Sequence, residues 1–539
     1  MAAAAERHDQ LAALDSEPAP ERVWLGLYVL GTVVVILPFL LFRYPLCTDY
    51  LVHVAGTTVL LSSASSPLRY VFDVHWALIP NLGLPLFATA LGKFLSPEQI
   101  VKSYNLLGIV GVSAGVIWLS RSINGRIQPT VLLALPMLHS EPVTDGLYNF
   151  NLGLALALFV LSAVHEATLA RRTIILSVCA PIIFIVHLGA LICLALIIFL
   201  LDCERERPIW RAFMTAPLGF LTVLPLYLLR TKPPLTHETV FTNLPEKLIA
   251  IASIFFSGNL VLSIGCALGF LAFAVFLYFR GAAFVTGWGL AVAGLWLAGY
   301  LSPAIQEVSA FVDNRIFWCA ALISVAALEL PAIESRRVGN AIVPLVTLIL
   351  AVKLCAAINS FGAFDGEIAE LKHGAATIPR GAPVMVAMSP KEQETGKKDW
   401  VINKFQDSRF YWHISSILPI SGHGLDTLFF AYPGSAIIEP KPSFVLYIAD
   451  LPAIPLAAPI AAYLFDHDGS APLIKMFGQD NLLKYSINWG QRFPYLLFLN
   501  LGHADDPFAG KLQLVSRGSF FKIYRNPEVS TDLYHSSGN

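Results

Sequence analysis

Long apolar runs recur through the first two thirds of this chain, and they leave a bilayer as the one solvent in which it can fold. They cover residues 23–42, 106–120, 129–138, 152–164, 173–201, 213–229, 260–279, 283–301, 316–330 and 341–358. A helix needs roughly 20 apolar residues to cross a hydrocarbon core roughly 30 Å thick, where every backbone polar group must be paired internally. The pattern predicts an α-helical polytopic membrane protein. A hydrophobic content of 56%, 14% charged residues and a mean hydropathy of +0.64 point the same way. The formal net charge of −1 supplies no basic field for a nucleic acid. The first run follows a mixed-charge segment and lacks a small-x-small cleavage site, so it reads as a retained helix. None of the seven cysteines stands in a Cys-x-x-Cys spacing, and neither a disulfide framework nor a zinc signature is predicted.

Two segments need arbitration. As one helix, 173–201 would extend about 42 Å, well beyond the hydrocarbon core. Pro181 and the His187-Leu188-Gly189 step fall near its middle, so it reads as two short helices meeting at His187, with a single span as the alternative. In 76–95, Pro80 and Pro85 interrupt the first half. If that segment lies along the outer surface, the inner connections 121–126, 171–172, 205–211, 280 and 336–337 hold ten arginines. The outer connections 139–148 and 302–314 then hold no Lys or Arg. This is the asymmetry expected of a cytoplasmic face. The resulting threading has about eleven spans, with residues 1–22 as a cytoplasmic tail and 23–360 as the membrane region with an outer loop at 43–103. Beyond about residue 361, charge, Pro, Gly and Asn return. Short apolar runs at 383–387, 443–448, 495–499, 512–515 and 520–524 alternate with turn residues. Residues 361–539 therefore read as an extracytoplasmic α/β domain.

The outer connections collect the polar residues. Asp49 stands immediately past the first run, where a carboxylate within the hydrocarbon would cost roughly 3 kcal/mol. His53 follows one helical turn later and can face the same way. The first loop adds Arg69, Asp73 and His75, and the second His139, Glu141, Asp145, Asn149 and Asn151. His187 marks the tip of the paired short helices. Glu307, Asp313, Asn314 and Arg315 precede the tenth span. Solvated loop carboxylates are common, and Arg315 at a helix start has two readings: a local pair with Asp313, or bidentate capture of a phosphate. In the C-terminal region His413, His423 and Asp426 are scattered and read as structural.

These residues resemble the GT-C superfamily of membrane glycosyltransferases, which use polyprenyl-phosphate sugars. An acidic residue in the first outer loop is that superfamily's shared mark, and Asp49 stands there. The stretch Ile79-Pro80-Asn81-Leu82-Gly83-Leu84-Pro85-Leu86 through Leu95-Ser96-Pro97-Glu98 resembles its proline-bearing juxtamembrane helix. The basic-ended span that follows is matched by Leu106 to Arg121 and Arg126. Glu141-Pro142-Val143-Thr144-Asp145 is similar to the second acidic position of the aminoarabinose and protein mannosyl branches. The chain has neither an Asp-Glu pair at Asp49 nor a Trp-Trp-Asp motif. Thr48-Asp49-Tyr50-Leu51-Val52-His53 is more similar to an uncharacterised bacterial branch with Asp-x-x-x-His in this loop.

The resemblance implies an inverting transfer of sugar from a polyprenyl-phosphate donor to an extracytoplasmic glycan, lipid or protein. It also implies an inner-membrane location with the C-terminal domain in the periplasm. Asp49 would be the general base, and Arg315 and His187 would meet the leaving phosphate. Asp73 and Asp145 would orient sugar hydroxyls or hold a divalent cation through oxygen, although the dispersed acids do not demand a metal. The competing class is a polytopic transporter or a lipid or polysaccharide flippase. Such proteins place ionisable groups near the midplane, on broken helices of related halves. Here most acids cluster outside and no inverted repeat is evident.

Overall fold

The computed structural model describes residues 21–205, 209–231, 239–256, 260–306, 309–389, 408–429, 436–448, 455–466, 485–501 and 505–530. Residues 1–20 of the expected tail and Glu307 lie outside these. The principal helices are α1 (Glu21–Leu41), α2 (Tyr50–Leu61), α3 (Pro97–Asn124), α4 (Tyr148–Val164), α5 (Leu169–Val186) and α6 (Leu188–Arg205). They continue as α7 (Leu260–Phe279), α8 (Gly289–Leu301), α9 (Val312–Ala326) and α10 (Ala332–Ala375). Among the described residues, five helices are long and apolar enough to cross a membrane: α1, α3, α5, α7 and α10. The number rises to six if the pair Trp210–Phe220 and Val223–Leu229, bent by 68°, is one span. Outward-facing Ile174, Val178 and Ile182 on α5, and Leu268, Leu271 and Val275 on α7, leave large apolar side chains exposed. An apolar exterior of this kind suits lipid rather than water.

Local chemistry explains where these helices start and stop. Helix α3 opens on a reciprocal Ser96/Gln99 capping box with Pro97 in its first turn, and it ends at Gly125 in the left-handed region (φ +69°). Its Gly108, Gly111 and Gly115 let α4 approach closely. A Cβ at Gly111 would stand 2.9 Å from that of Ala155, and one at Gly115 2.8 Å from that of Leu158. The step at His187 is extended (φ −166°, ψ 119°), and it separates two 18-residue helices.

The run 129–138, expected among the spans, is instead a fully buried ten-residue 3-10 helix, Pro129–Leu138. At about 2.0 Å per residue it rises only about 20 Å, too short to span. Its prolines lack N–H donors, and neighbouring side chains satisfy carbonyls that an α-helix would have used. Trp318 Nε1 donates to Met137 O at 2.8 Å, and Lys353 Nζ donates to Pro136 O at 2.7 Å and His139 O at 2.8 Å. Likewise residues 283–284 pair with 328–329 as a two-stranded ribbon, which confines α8 to 13 residues and α9 to 15. Segment 76–95 contains only the nine-residue helix Gly83–Leu91, which is too short to cross.

Helix α10 is 44 residues long, about 66 Å, so it passes without a break through the expected domain boundary at 360/361. Beyond that boundary it fastens the C-terminal region. Tyr411 donates to Glu367 at 2.7 Å, and Ser519 N donates to Glu370 at 2.8 Å. The chain leaving α1 is fixed to the same helix by Tyr44 N donating to Asp365 Oδ1 at 2.8 Å.

Besides two short ribbons, 283–284 with 328–329 and 305–306 with 309–310, the strands are β1 (Phe72–Val74), β2 (Pro383–Ser389), β3 (Leu425–Asp426), β4 (Ile438–Pro440), β5 (Leu456–Ala457), β6 (Tyr495–Asn500), β7 (Gln513–Arg517) and β8 (Phe521–Arg525). A mixed six-stranded sheet has the order β7-β8-β6-β2-β3, with β5 also pairing β2. Strands β2 and β6 pair in parallel and are buried along their whole length, which is why they read as unbroken apolar runs. The short apolar run 443–448 forms the 3-10 helix Pro442–Tyr447, because Pro442 cannot donate to a ladder and favours a helix start. Strand β1, within 43–103, pairs antiparallel with β4, register Phe72↔Pro440 and Asp73↔Glu439. Around that ladder Val59, Val71 and Phe72 share a core with Leu425, Phe429 and Ile438. The segment 43–103 and the C-terminal region thus build one surface.

Candidate active site

Asp49 occupies the N-cap position of α2, yet its side chain makes no capping bond. An aspartate there ordinarily accepts from the helix's first free N–H groups; this carboxyl is turned to other neighbours. The chain around it is clamped to the short turn ahead of α4. Thr48 N donates to Thr144 O at 2.8 Å, Asp49 N donates to Asp145 O at 3.2 Å, and the Thr48 hydroxyl reaches Asp145 Oδ1 at 3.4 Å. His53 Nε2 lies 3.2 Å from Gly146 O, so that nitrogen carries the ring proton and donates.

Gly146 makes this juncture possible. Its φ of +86° favours glycine, and a Cβ there would stand 2.9 Å from Asp49 Cβ and 3.3 Å from Asp49 Cα. Gly146→Ala combines a left-handed backbone, worth about 1–2 kcal/mol, with a clash against main chain. The substitution is expected to lower the unfolding temperature and to separate Asp49 from Asp145. An unchanged unfolding temperature would show that the juncture tolerates a side chain.

The electrostatics follow from burial. About a fifth of the Asp49 side chain (21%) is exposed. Loss of water pushes its carboxyl up to about 7, and the charge of Arg315 opposes the rise. Burial pulls His53 down to about 4, against the hydrogen bond with Gly146 O. It pulls His413 down to about 3, with His53 adding to the effect. Both rings are therefore neutral near pH 7, and Asp49 titrates there.

Arg315 and His187 form the second half of the site. Three successive residues at the start of α9 reach three different elements. Asp313 pairs with Lys247 of the helix Leu244–Ala252 at 2.7 Å, Asn314 Nδ2 donates to Glu141 Oε2 at 2.6 Å, and Arg315 Nη1 donates to Ser309 Oγ at 2.9 Å. The local Arg315–Asp313 pair allowed by the sequence is thus replaced by Lys247–Asp313. Phe311, just before α9, is held at φ +58°, a region a bulky residue seldom adopts. His187 Nδ1 accepts from Gly189 N at 3.0 Å, which leaves the ring proton on Nε2. Arg315 Nη1 lies 3.5 Å from that nitrogen. Two donors therefore face one another, an arrangement that suits a bridging anion. The charge of Arg315 also acts on Asp49 and Asp145, which ties the two halves together.

Of the sequence candidates, Asp49, His53 and Asp145 share one juncture, with Arg315 and His187 beside it. Asp73 has different surroundings. It lies in the β1–β4 ladder with its side chain 41% exposed, 3.7 Å from Lys441 Nζ. Sequence reasoning missed His413, which was read as structural. Its Nε2 stands 3.6 Å from Asp49 Oδ1, with only 5% of the side chain exposed. Nothing in the local sequence around His413 signals this contact. Among the described residues, no group of three or more His, Cys, Asp or Glu is arranged to hold a metal ion.

No family model matches the chain, and no curated protein does. Among solved structures it is similar to the crystal structure of ArnT from Cupriavidus metallidurans bound to undecaprenyl phosphate. The match has 11% identity, covers 93% of this chain and 98% of that one, and has a TM-score of 0.43. A likeness this loose establishes no family for the chain.

Proposed function

We propose that the protein is a multi-pass membrane glycosyltransferase. It moves a sugar, with inversion, from a polyprenyl-phosphate donor to an acceptor hydroxyl on an extracytoplasmic glycan, lipid or protein. The observation that carries the reading is the pair of facing donors, Arg315 Nη1 and His187 Nε2, beside a half-buried carboxyl that titrates near neutrality. In the reaction the acceptor oxygen bonds to the anomeric carbon and its proton passes to Asp49. The carbon–oxygen bond to phosphate breaks with its electron pair on the leaving polyprenyl phosphate. A base serves best with a pKa near the working pH. Donors aimed at the departing oxygen stabilise the charge that develops there. Asp145 and His53 hold the Asp49 juncture, and Asp145 is also a candidate partner for sugar hydroxyls. The proposal includes a multi-pass topology in a bacterial inner membrane, with residues 361–539 in the periplasm.

The test separates lipid recognition from transfer. Arg315→Met removes a charge-assisted bond worth about 1.5–3 kcal/mol. It is expected to weaken binding of undecaprenyl phosphate to the full chain in detergent by about 10- to 100-fold. Equal binding by wild type and variant would remove Arg315 from the phosphate site. Wild type that moves undecaprenyl phosphate between leaflets without transferring sugar would replace the reading with that of a flippase.

A further inference from the structure

The catalytic reading leaves one contact unused: a histidine of the C-terminal region lies against the carboxyl of Asp49. We infer that the C-terminal region completes the site, with His413 a positioning residue that shields one side of the Asp49 carboxyl from water, and with Asp426 holding His413 in place. This inference rests on the glycosyltransferase reading above.

Three observations argue that the contact is built rather than incidental. First, His413 is itself almost completely buried, and its Nε2 stands 3.6 Å from Asp49 Oδ1. That is longer than a hydrogen bond but close enough to occupy the space of a water molecule. Second, the turn that carries it is clamped. His413 O accepts from Ser416 N at 3.1 Å and opens the 3-10 turn Ile414–Ser416. The hydroxyls of Ser415 and Ser416 donate to Asp426 Oδ1 at 2.9 Å and Oδ2 at 2.6 Å, and Leu428 N donates to Asp426 Oδ1 at 3.0 Å. Asp426 is buried on β3, so the sheet of the C-terminal region fixes the turn. Third, the same segment docks on the membrane side. Ile414, Ile417 and Leu418 are fully buried, and both this turn and the short helix Ile417–Ser421 pack against α2, which Asp49 opens.

The groups that face Asp49 are Cys47 from the preceding segment, His53 on α2, Asp145 from the turn, Tyr148 on α4, Arg315 on α9, and His413. Arg315 brings a positive charge, and the His53 and His413 rings are neutral near pH 7. His413 contributes exclusion of water, which keeps the carboxylate basic enough to take the acceptor's proton. Without the ring, more water would reach the carboxylate and draw its titration toward the ordinary range.

The experiment uses the full chain in detergent without substrate. Infrared difference spectra follow, as pH is varied, the carboxyl band that Asp49→Asn abolishes. In His413→Ala the midpoint is expected to fall by about one pH unit. His413→Gln, which keeps most of the volume, should fall by less. Asp426→Asn should follow His413→Ala, because it weakens the clamp. A His413→Ala midpoint equal to wild type, in variants that unfold at wild-type temperature, overturns the inference. If His413→Ala does not fold, an unmoved midpoint in both His413→Gln and Asp426→Asn overturns it equally. Transfer from a polyprenyl-phosphate sugar, measured in parallel, tests the underlying reading. A moved midpoint with the acid limb of the pH–rate profile moved alike supports the inference. A moved midpoint in His413→Ala, together with a wild type that transfers no sugar, overturns the glycosyltransferase reading and the catalytic meaning of His413 with it.

Discussion

Asp49→Asn is expected to lower sugar transfer from a polyprenyl-phosphate donor by about 10²–10⁴-fold, the usual size of general-base assistance. The amide keeps the side chain's shape and removes the proton acceptor. In the wild type the base form of Asp49 appears as pH rises through about 7, so the rate should climb over that interval. Residual transfer by Asp49→Asn should lose that limb. Stability runs the other way. Because the folded carboxyl titrates above its ordinary value, its stabilising contribution is complete below about 3.8 and is lost as pH rises through about 7. The variant should therefore unfold no earlier than wild type at pH 6 and later above pH 8. Thermal unfolding and transfer assays on the same preparations check both signs. Transfer retained within a factor of about two would eliminate Asp49 as the base.

Much of this site was legible because it sits where chain composition changes abruptly. Asp49 is conspicuous as a carboxylate directly after a long apolar run, and His53 follows at helical spacing. His187 interrupts 173–201 where a single helix would be too long for the bilayer. The arrangement between elements was hidden. His413 reaches Asp49 from far along the chain, and that contact exists only because β4 pairs with β1 and the turn after His413 docks on α2. Asp73 stood beside Asp145 as a partner for sugar hydroxyls or a cation, since acidity and loop membership are visible in sequence. Its pairing across from Glu439 and beside Lys441 is not. The run 129–138 misled for a similar reason. Its apolarity reflects burial inside the bundle, and its short rise follows from 3-10 geometry that hydropathy does not encode.

Lys247 shows what that blindness costs, because no sequence pattern linked it to Asp313. The two charges meet at 2.7 Å with 4% and 3% of their side chains exposed, and Lys247 Nζ also donates to Ser302 O at 2.5 Å. Removing one member of such a pair strands the other charge in a dry site, which typically costs 3–5 kcal/mol, about as much as a small domain can lose. Lys247→Met is therefore expected to destabilise the chain by roughly 3–5 kcal/mol in detergent unfolding. Lys247→Met combined with Asp313→Leu should recover most of the loss, since two apolar side chains of similar size leave no charge unpaired. Function should not recover with stability. Asp313 anchors the first turn of α9, two residues before Arg315, and the double variant frees that turn from the helix Leu244–Ala252. Undecaprenyl phosphate binding should thus stay weakened in the double variant even where its unfolding matches wild type. If binding returns along with stability, the Lys247–Asp313 pair holds the fold but does not aim Arg315.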